Sequence, residues 1–263
     1  MAVALLPVKR RRQPPYLVGV ARSNPLTRGL VCAFNAAARF DAVSGRSVGI
    51  GAGNPRTDVF PAGVGIGGTG AINNFWSLAH PTPPANVITW MGVITPRTLP
   101  SAVQVVVQFG GAGNFVQIRP SSANAWRLAI DGSGALTTGP DGPSMVVGKT
   151  AVVVGTYDGA TLSLYVDGVA YGTAATAQTF STGAGLTIST AADMNTVSVH
   201  AFLAWNNRLL ALAEIAELAA RPWQLFESEE LPIYFTSAPP AGLAANPARG
   251  GGAAINPIWG MAA

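Results

Sequence analysis

The stretch AVVVGTYDGATLSLYVDGVAYG, residues 151–172, constrains the fold more than any other part of this chain. It holds three β-prone segments and two Asp-Gly pairs. Asp158-Gly159 separates residues 152–157 from 161–166, and Asp167-Gly168 separates that second segment from 169–171. Asp-Gly suits a tight primed hairpin turn, because both central residues of such a turn need positive φ. The flanking residues are β-branched or aromatic, as a pleated, half-buried surface favours. Leu162, Leu164 and Val166 alternate with Thr161, Ser163 and Tyr165, so one face points inward. The expectation is an antiparallel meander in which Asp158, Gly159, Asp167 and Gly168 are structural turn residues.

The rest of the chain repeats this pattern more weakly. Strand-like segments are expected at 30–34, 87–94, 102–110, 114–119, 125–130, 185–189 and 196–205, with Asp131-Gly132 and Asp141-Gly142 as further turns. The glycine-rich stretch 45–70 should give loops and short edge strands. One helix is expected at 209–220, LLALAEIAELAA, with Leu212, Ile215 and Leu218/Ala219 facing inward and Glu214 and Glu217 outward. Arg221-Pro222 should end it. Many short strands with Gly and Pro between them predict an all-β, antiparallel jelly-roll sandwich with one short C-terminal helix. Residues 1–28 carry four prolines and the basic run, and read as an extended arm. Residues 237–263 are rich in Pro, Gly and Ala and read as an extended tail, leaving 29–236 as the domain.

Composition narrows the partners. Hydrophobic residues are 49% of the 263, enough for a sizeable core, but charged residues are only 11%. So little charge suits a protein packed against neighbours, although the 14 Arg against 2 Lys also fit a codon bias. Net charge is +4, and four of the cations form one run, Lys9-Arg10-Arg11-Arg12. Such a run can bind an acidic protein surface, with nucleic acid as the lesser alternative, or be a solvated arm. The apolar pair Ile258-Trp259 could dock the tail, which makes Trp259 the second partner-binding candidate. Residues 1–8 precede the basic run, the reverse order of a signal peptide. No apolar run approaches the roughly 20 residues of a membrane span. Cys32 is the only cysteine, expected as a small buried hydrophobe with no intrachain disulfide.

Catalytic and cofactor patterns fail one after another, so no catalytic, cofactor or metal residue is assigned and the chain is expected not to be an enzyme. Glycoside hydrolysis needs two carboxylates flanking one bond. Of 12 acids, Asp131, Asp141, Asp158 and Asp167 are assigned to turns and Glu214 and Glu217 to an outer helix face. Glu227, Glu229 and Glu230 form a solvated cluster. Gly65-x-Gly67-x-x-Gly70 matches a dinucleotide fingerprint by letter only, since no helix pattern follows. With one Cys and only His80 and His200, far apart in the chain, no zinc site is expected. Calcium could find single ligands in Asp158, Asp167 and Asp193, but no Asp/Asn-dense loop exists. Trp76, Trp90, Trp126, Trp205 and Trp223 could stack on sugars, but are expected in core or interface.

The residues at 152–172, together with VSVHAFLAWNNRLLALAEIAEL at 197–218, resemble the LamG-like jelly-roll domains of the concanavalin A-like superfamily. Two further stretches, SNPLTRGLV at 23–31 with DAVSGR at 41–46 and RPWQLF at 221–226, resemble structural proteins of tailed bacteriophages. The resemblance implies a non-enzymatic virion protein of capsid or tail, made in the host cytoplasm and present in many copies or as a homo-oligomer. Its partners would be other virion subunits, with no membrane. A glycan-binding module that recognises a cell surface is the alternative, and a glycoside hydrolase the third reading.

Overall fold

The alternation that marks residues 161–166 is present in the folded chain: Leu162, Leu164 and Val166 are buried while their neighbours are half-exposed. The computed structural model describes residues 13–14, 18–52, 56–67, 75–100, 105–111, 113–132, 134–180, 185–188 and 196–228. In chain order the strands are β1 (Val18–Val20), β2 (Leu30–Asn35), β3 (Phe40–Asp41), β4 (Arg46–Ser47), β5 (Gly49–Ala52), β6 (Arg56–Phe60) and β7 (Gly63–Gly67). They continue with β8 (Phe75–Leu78), β9 (Ile88–Pro96), β10 (Val107–Gly111), β11 (Asn114–Pro120), β12 (Ala125–Asp131) and β13 (Thr137–Ser144). The last are β14 (Ala151–Tyr157), β15 (Thr161–Val166), β16 (Val169–Ala175), β17 (Leu186–Ile188), β18 (Val197–Asn206) and β19 (Phe226–Ser228). The α-helix α1 spans Leu212–Ala220.

Two antiparallel sheets face each other. One runs β13-β12-β11-β10-β17-β8-β5. The other runs β16-β15-β14-β9-β18-β2-β3-β4, with β7 beside β18 and β6 beside β7. Between them lies a core containing Phe34, Trp90, Phe109, Trp126, Leu128, Tyr157 and Phe202. The fold is therefore the expected all-β sandwich with one short C-terminal helix.

The larger sheet is buried on its outer face as well. Along β9 and β14, Trp90 and Val153 join the inter-sheet core, while Met91, Val93, Val152 and Val154 enter a second core with Leu26, Trp205, Leu210, Ile215, Leu218, Trp223 and Phe226. Strand β18 changes phase on the way. Val197 and Val199 face the inter-sheet core, but so do Phe202 and Ala204, because the register shifts between Val199 and Ala201. A bulge adds one residue and flips every side chain beyond it to the other face.

Several local expectations change. The helix begins at Leu212, three residues later than expected, and Leu212 is 58% exposed rather than inward. Glu214 accounts for the start: its Oε2 accepts the Ala211 N–H at 2.8 Å, satisfying a donor the first turn leaves open. Asp141-Gly142 is no turn but part of β13, opposite Arg127 across a bulge. Residues 18–28, placed in the arm by the sequence, pack on the body: β1 pairs with β19, Leu26 is buried, and Leu26 O accepts the Trp205 indole N–H at 2.6 Å. Upstream, buried Gln13 donates to Asn35 Oδ1 at 2.9 Å and to His200 O at 3.0 Å.

Candidate functional site

The turn residues behave as two different devices. Asp167 and Gly168 both have positive φ, 51° and 83°, as a two-residue primed turn requires. Asp167 Oδ1 also accepts the Val152 N–H at 2.8 Å and so ties the turn to β14. The other loop holds three residues, 158–160, and only Gly159 has positive φ. There Asp158 acts through its side chain, accepting the N–H of Ala160 at 2.8 Å and of Thr161 at 2.6 Å. The partner candidates Lys9, Arg10, Arg11, Arg12 and Trp259, and the tail 237–263, lie outside the described residues.

The aromatic candidates are core. Trp76, Trp90, Trp126, Trp205 and Trp223 are each 3% exposed or less, so none presents a free face to a sugar ring. His200 is fully buried, its Nε2 2.7 Å from the Thr95 hydroxyl, and burial pushes its pKa down to about 4 against smaller opposing effects of the Val64 backbone and Asp58. It is a neutral structural imidazole at neutral pH. The described carboxylates are similarly engaged in local structure. Asp131 Oδ1 accepts the Gly134 N–H at 2.7 Å, Asp141 pairs with Arg127 at 2.6 Å, and Glu217 pairs with Arg221 at 2.5 Å.

Two clefts open to solvent on either side of the loop 145–150, which joins β13 to β14. The larger, about 460 Å³, is lined by Arg56 and Phe60 of β6, Pro96, Arg97, Thr98 and the loop residues Val147 and Gly148. Two guanidinium groups meet one carboxylate beside it: Arg56 Nε lies 2.9 Å from Asp58 Oδ1, and Arg97 Nε 3.6 Å from Asp58 Oδ2. Ser198 donates to the same Oδ2 at 2.7 Å. The local balance is positive.

The smaller cleft, about 130 Å³, lies across the loop, with Ser144, Val146, Lys149, Asp167, Val169 and Tyr171 on its rim or walls. Tyr171 is 43% exposed, and Val146 and Val169 are more than half exposed. Lys149 Nζ stands 3.9 Å from Asp167 Oδ2. An exposed aromatic ring beside a hydroxyl, an ammonium and a carboxylate can hold a polyhydroxylated ring or a peptide side chain. Neither cleft offers two carboxylates. The sequence reading missed Tyr171 as a surface residue. The segment VAYGTAA carries no clear period-two alternation that would have told its exposed face from its buried one.

Residues 74–215, more than half of the chain, match the family model described as concanavalin A-like lectin/glucanases superfamily, Laminin_G_3. The chain belongs to this family. A comparison with curated proteins found no match. Among solved structures, the receptor-binding domain of botulinum neurotoxin type G is similar, with TM-score 0.56, 10% identity and coverage of 73% of this chain and 51% of that one. The binding domain of paraclostridial mosquitocidal protein 1 gives 0.59 at 10% identity, covering 73% and 52%. Trypanosoma rangeli sialidase in complex with sialic acid gives 0.53 at 18% identity, covering 73% and 33%. At these identities the likeness is one of fold. This concanavalin A-like chain spans about half, or less, of the structures it matches.

Proposed function

We propose that this concanavalin A-like chain is a non-catalytic virion structural module of capsid or tail, held to neighbouring subunits by its two terminal segments. The observation that carries the reading is the pairing of Val18 with Ser228 in the β1–β19 ribbon. The stretch 23–31 that resembles phage structural proteins follows β1, and the stretch 221–226 leads into β19. Leu26 from the first and Trp223, Leu225 and Phe226 from the second share one core on the outer face of the larger sheet. Val18 and Ser228 thus stand side by side on the body of the domain. The described carboxylates are engaged in local structure, which supports a non-catalytic role.

The test is composition and protection. Mass spectrometry of purified particles should find the chain, and trypsin should cut at Lys9–Arg12 in the isolated protein but not in the particle. Particles that lack the chain overturn the proposal.

A second reading, recognition of a cell-surface glycan, is favoured by the Tyr171 cleft. Its fold relatives include proteins titled as receptor-binding domains and a sialidase in complex with sialic acid. Here the site would be the exposed tyrosine with Lys149 and Asp167, since the five described tryptophans are buried. A glycan array with no hits removes it.

A further inference from the structure

Cys32 on β2, Asp41 on β3 and His80, two residues beyond the end of β8, come together inside the sandwich. One potential ligand atom from each lies within 4.8 Å of the other two. Cys32 and Asp41 are fully buried and His80 is 2% exposed. The sequence gives no hint of this group, because the β2–β3 pairing and the packing of one sheet on the other create it.

The interior of the cluster is polar and incompletely satisfied. His80 Nε2 is 3.3 Å from Asp41 Oδ2, yet it makes no hydrogen bond. A buried polar nitrogen aimed at a carboxylate without bonding to it is costly in an apolar core. The other ring nitrogen, Nδ1, lies 3.1 Å from both the carbonyl and the N–H of Thr82, so either tautomer can be held. With Nδ1–H donated to the Thr82 carbonyl, the Nε2 lone pair faces the Asp41 carboxylate. Edge-to-face contact with Phe109, centroids 5.0 Å apart, fixes the ring.

We propose that Cys32, Asp41 and His80 form a structural site for a divalent zinc ion that fastens one sheet of the sandwich to the other. The donor set suits zinc, which binds thiolate, imidazole and carboxylate together. A point within about 2.8 Å of all three atoms exists, about half an ångström beyond a zinc–sulfur bond and about 0.7 Å beyond zinc–nitrogen and zinc–oxygen bonds. Small side-chain rotations close that gap. The charges also balance: a thiolate, a carboxylate and a neutral imidazole cancel a divalent cation, so nothing net is buried. Binding displaces the thiol proton to solvent and changes no oxidation state.

The surroundings match those of a held ligand set. Asp41 Oδ1 accepts the N–H of Ala33 at 2.7 Å and of Val43 at 3.2 Å, and Oδ2 accepts the N–H of Ser44 at 3.1 Å. Outer partners of this kind orient metal ligands. None of the three residues lines either cleft beside the loop 145–150.

The test uses the full chain, stripped of metal by a chelator and kept reduced. Zinc is expected to bind with one ion per chain and to raise the unfolding temperature. Cobalt(II) should give a thiolate-to-metal charge-transfer band. Cys32→Ser should abolish that band, and His80→Gln should weaken zinc binding at least tenfold. Should Cys32→Ser fail to fold, His80→Gln carries the comparison alone. Folded wild-type protein with no charge-transfer band and no zinc-dependent rise overturns the proposal. So do responses that persist unchanged in a folded variant, which would place the ion elsewhere.

Discussion

Gly168, in the turn between β15 and β16, lies against Ala216 of α1: a Cβ at Gly168 would stand 3.1 Å from Ala216 Cα. The hairpin tip is thus a contact for the helix as well as a chain reversal.

Gly168→Ala should therefore be costly twice over. It forces a Cβ into a position with φ of 83° and pushes on the helix backbone. The expected loss is about 1–3 kcal/mol. Urea denaturation checks it, and an unchanged midpoint contradicts the contact.

Gly155, at the centre of β14, is a packing glycine. A Cβ there would fall 2.4 Å from Trp90 Cζ2 across the β9 pairing. Since Trp90 is fully buried, it cannot swing out. Gly155→Ala should cost about 1–3 kcal/mol through overpacking. A Gly155→Ala, Trp90→Phe double variant should be less destabilised than the two single losses added together.

His200 sets a pH dependence. Burial holds its folded pKa at about 4, below the ordinary 6.5, against smaller opposing effects of the Val64 backbone and Asp58. The unfolded chain takes up the proton first as pH falls. The contribution is complete above pH 6.5 and is lost between 6.5 and 4, a loss of roughly 3 kcal/mol. His200→Gln should flatten that window. Denaturation midpoints at stepped pH between 7 and 4 measure both, and a flat wild-type profile contradicts the assignment.

Tyr171→Ala should cost about 1 kcal/mol, because Tyr171 is 43% exposed and the rest of it is covered. It should lower binding of any ligand that a glycan array identifies. A variant that binds as well as the wild type moves the recognition site away from this cleft.

Much of the fold was readable because its signals are local. Alternation in 161–166 and the Asp-Gly pairs act over two to four residues, and the resemblance carried by 152–172 and 197–218 pointed to the same sandwich. Asp141-Gly142 shows where local signals fail: Arg127 across the sheet, paired at 2.6 Å, holds it in a strand. The phase change in β18 was equally hidden, because a bulge is set by two partner strands rather than by the residues that bulge. Tyr171 and the clefts escaped for a further reason. Exposure belongs to a surface assembled from the loop 145–150, β6, β9 and β16, which are far apart in sequence.

The amino-acid sequence by itself determined the antiparallel sandwich, the main turn residues, the helix and the burial of the five described tryptophans. Those follow from turn chemistry, period-two alternation and the large apolar area of aromatic side chains. Only the tertiary structure decided which distant residues meet. It brought Val18 to Ser228, Gly168 to Ala216, and Cys32 to Asp41 and His80. Such meetings depend on how strands pair and sheets stack, and no short stretch of sequence encodes that.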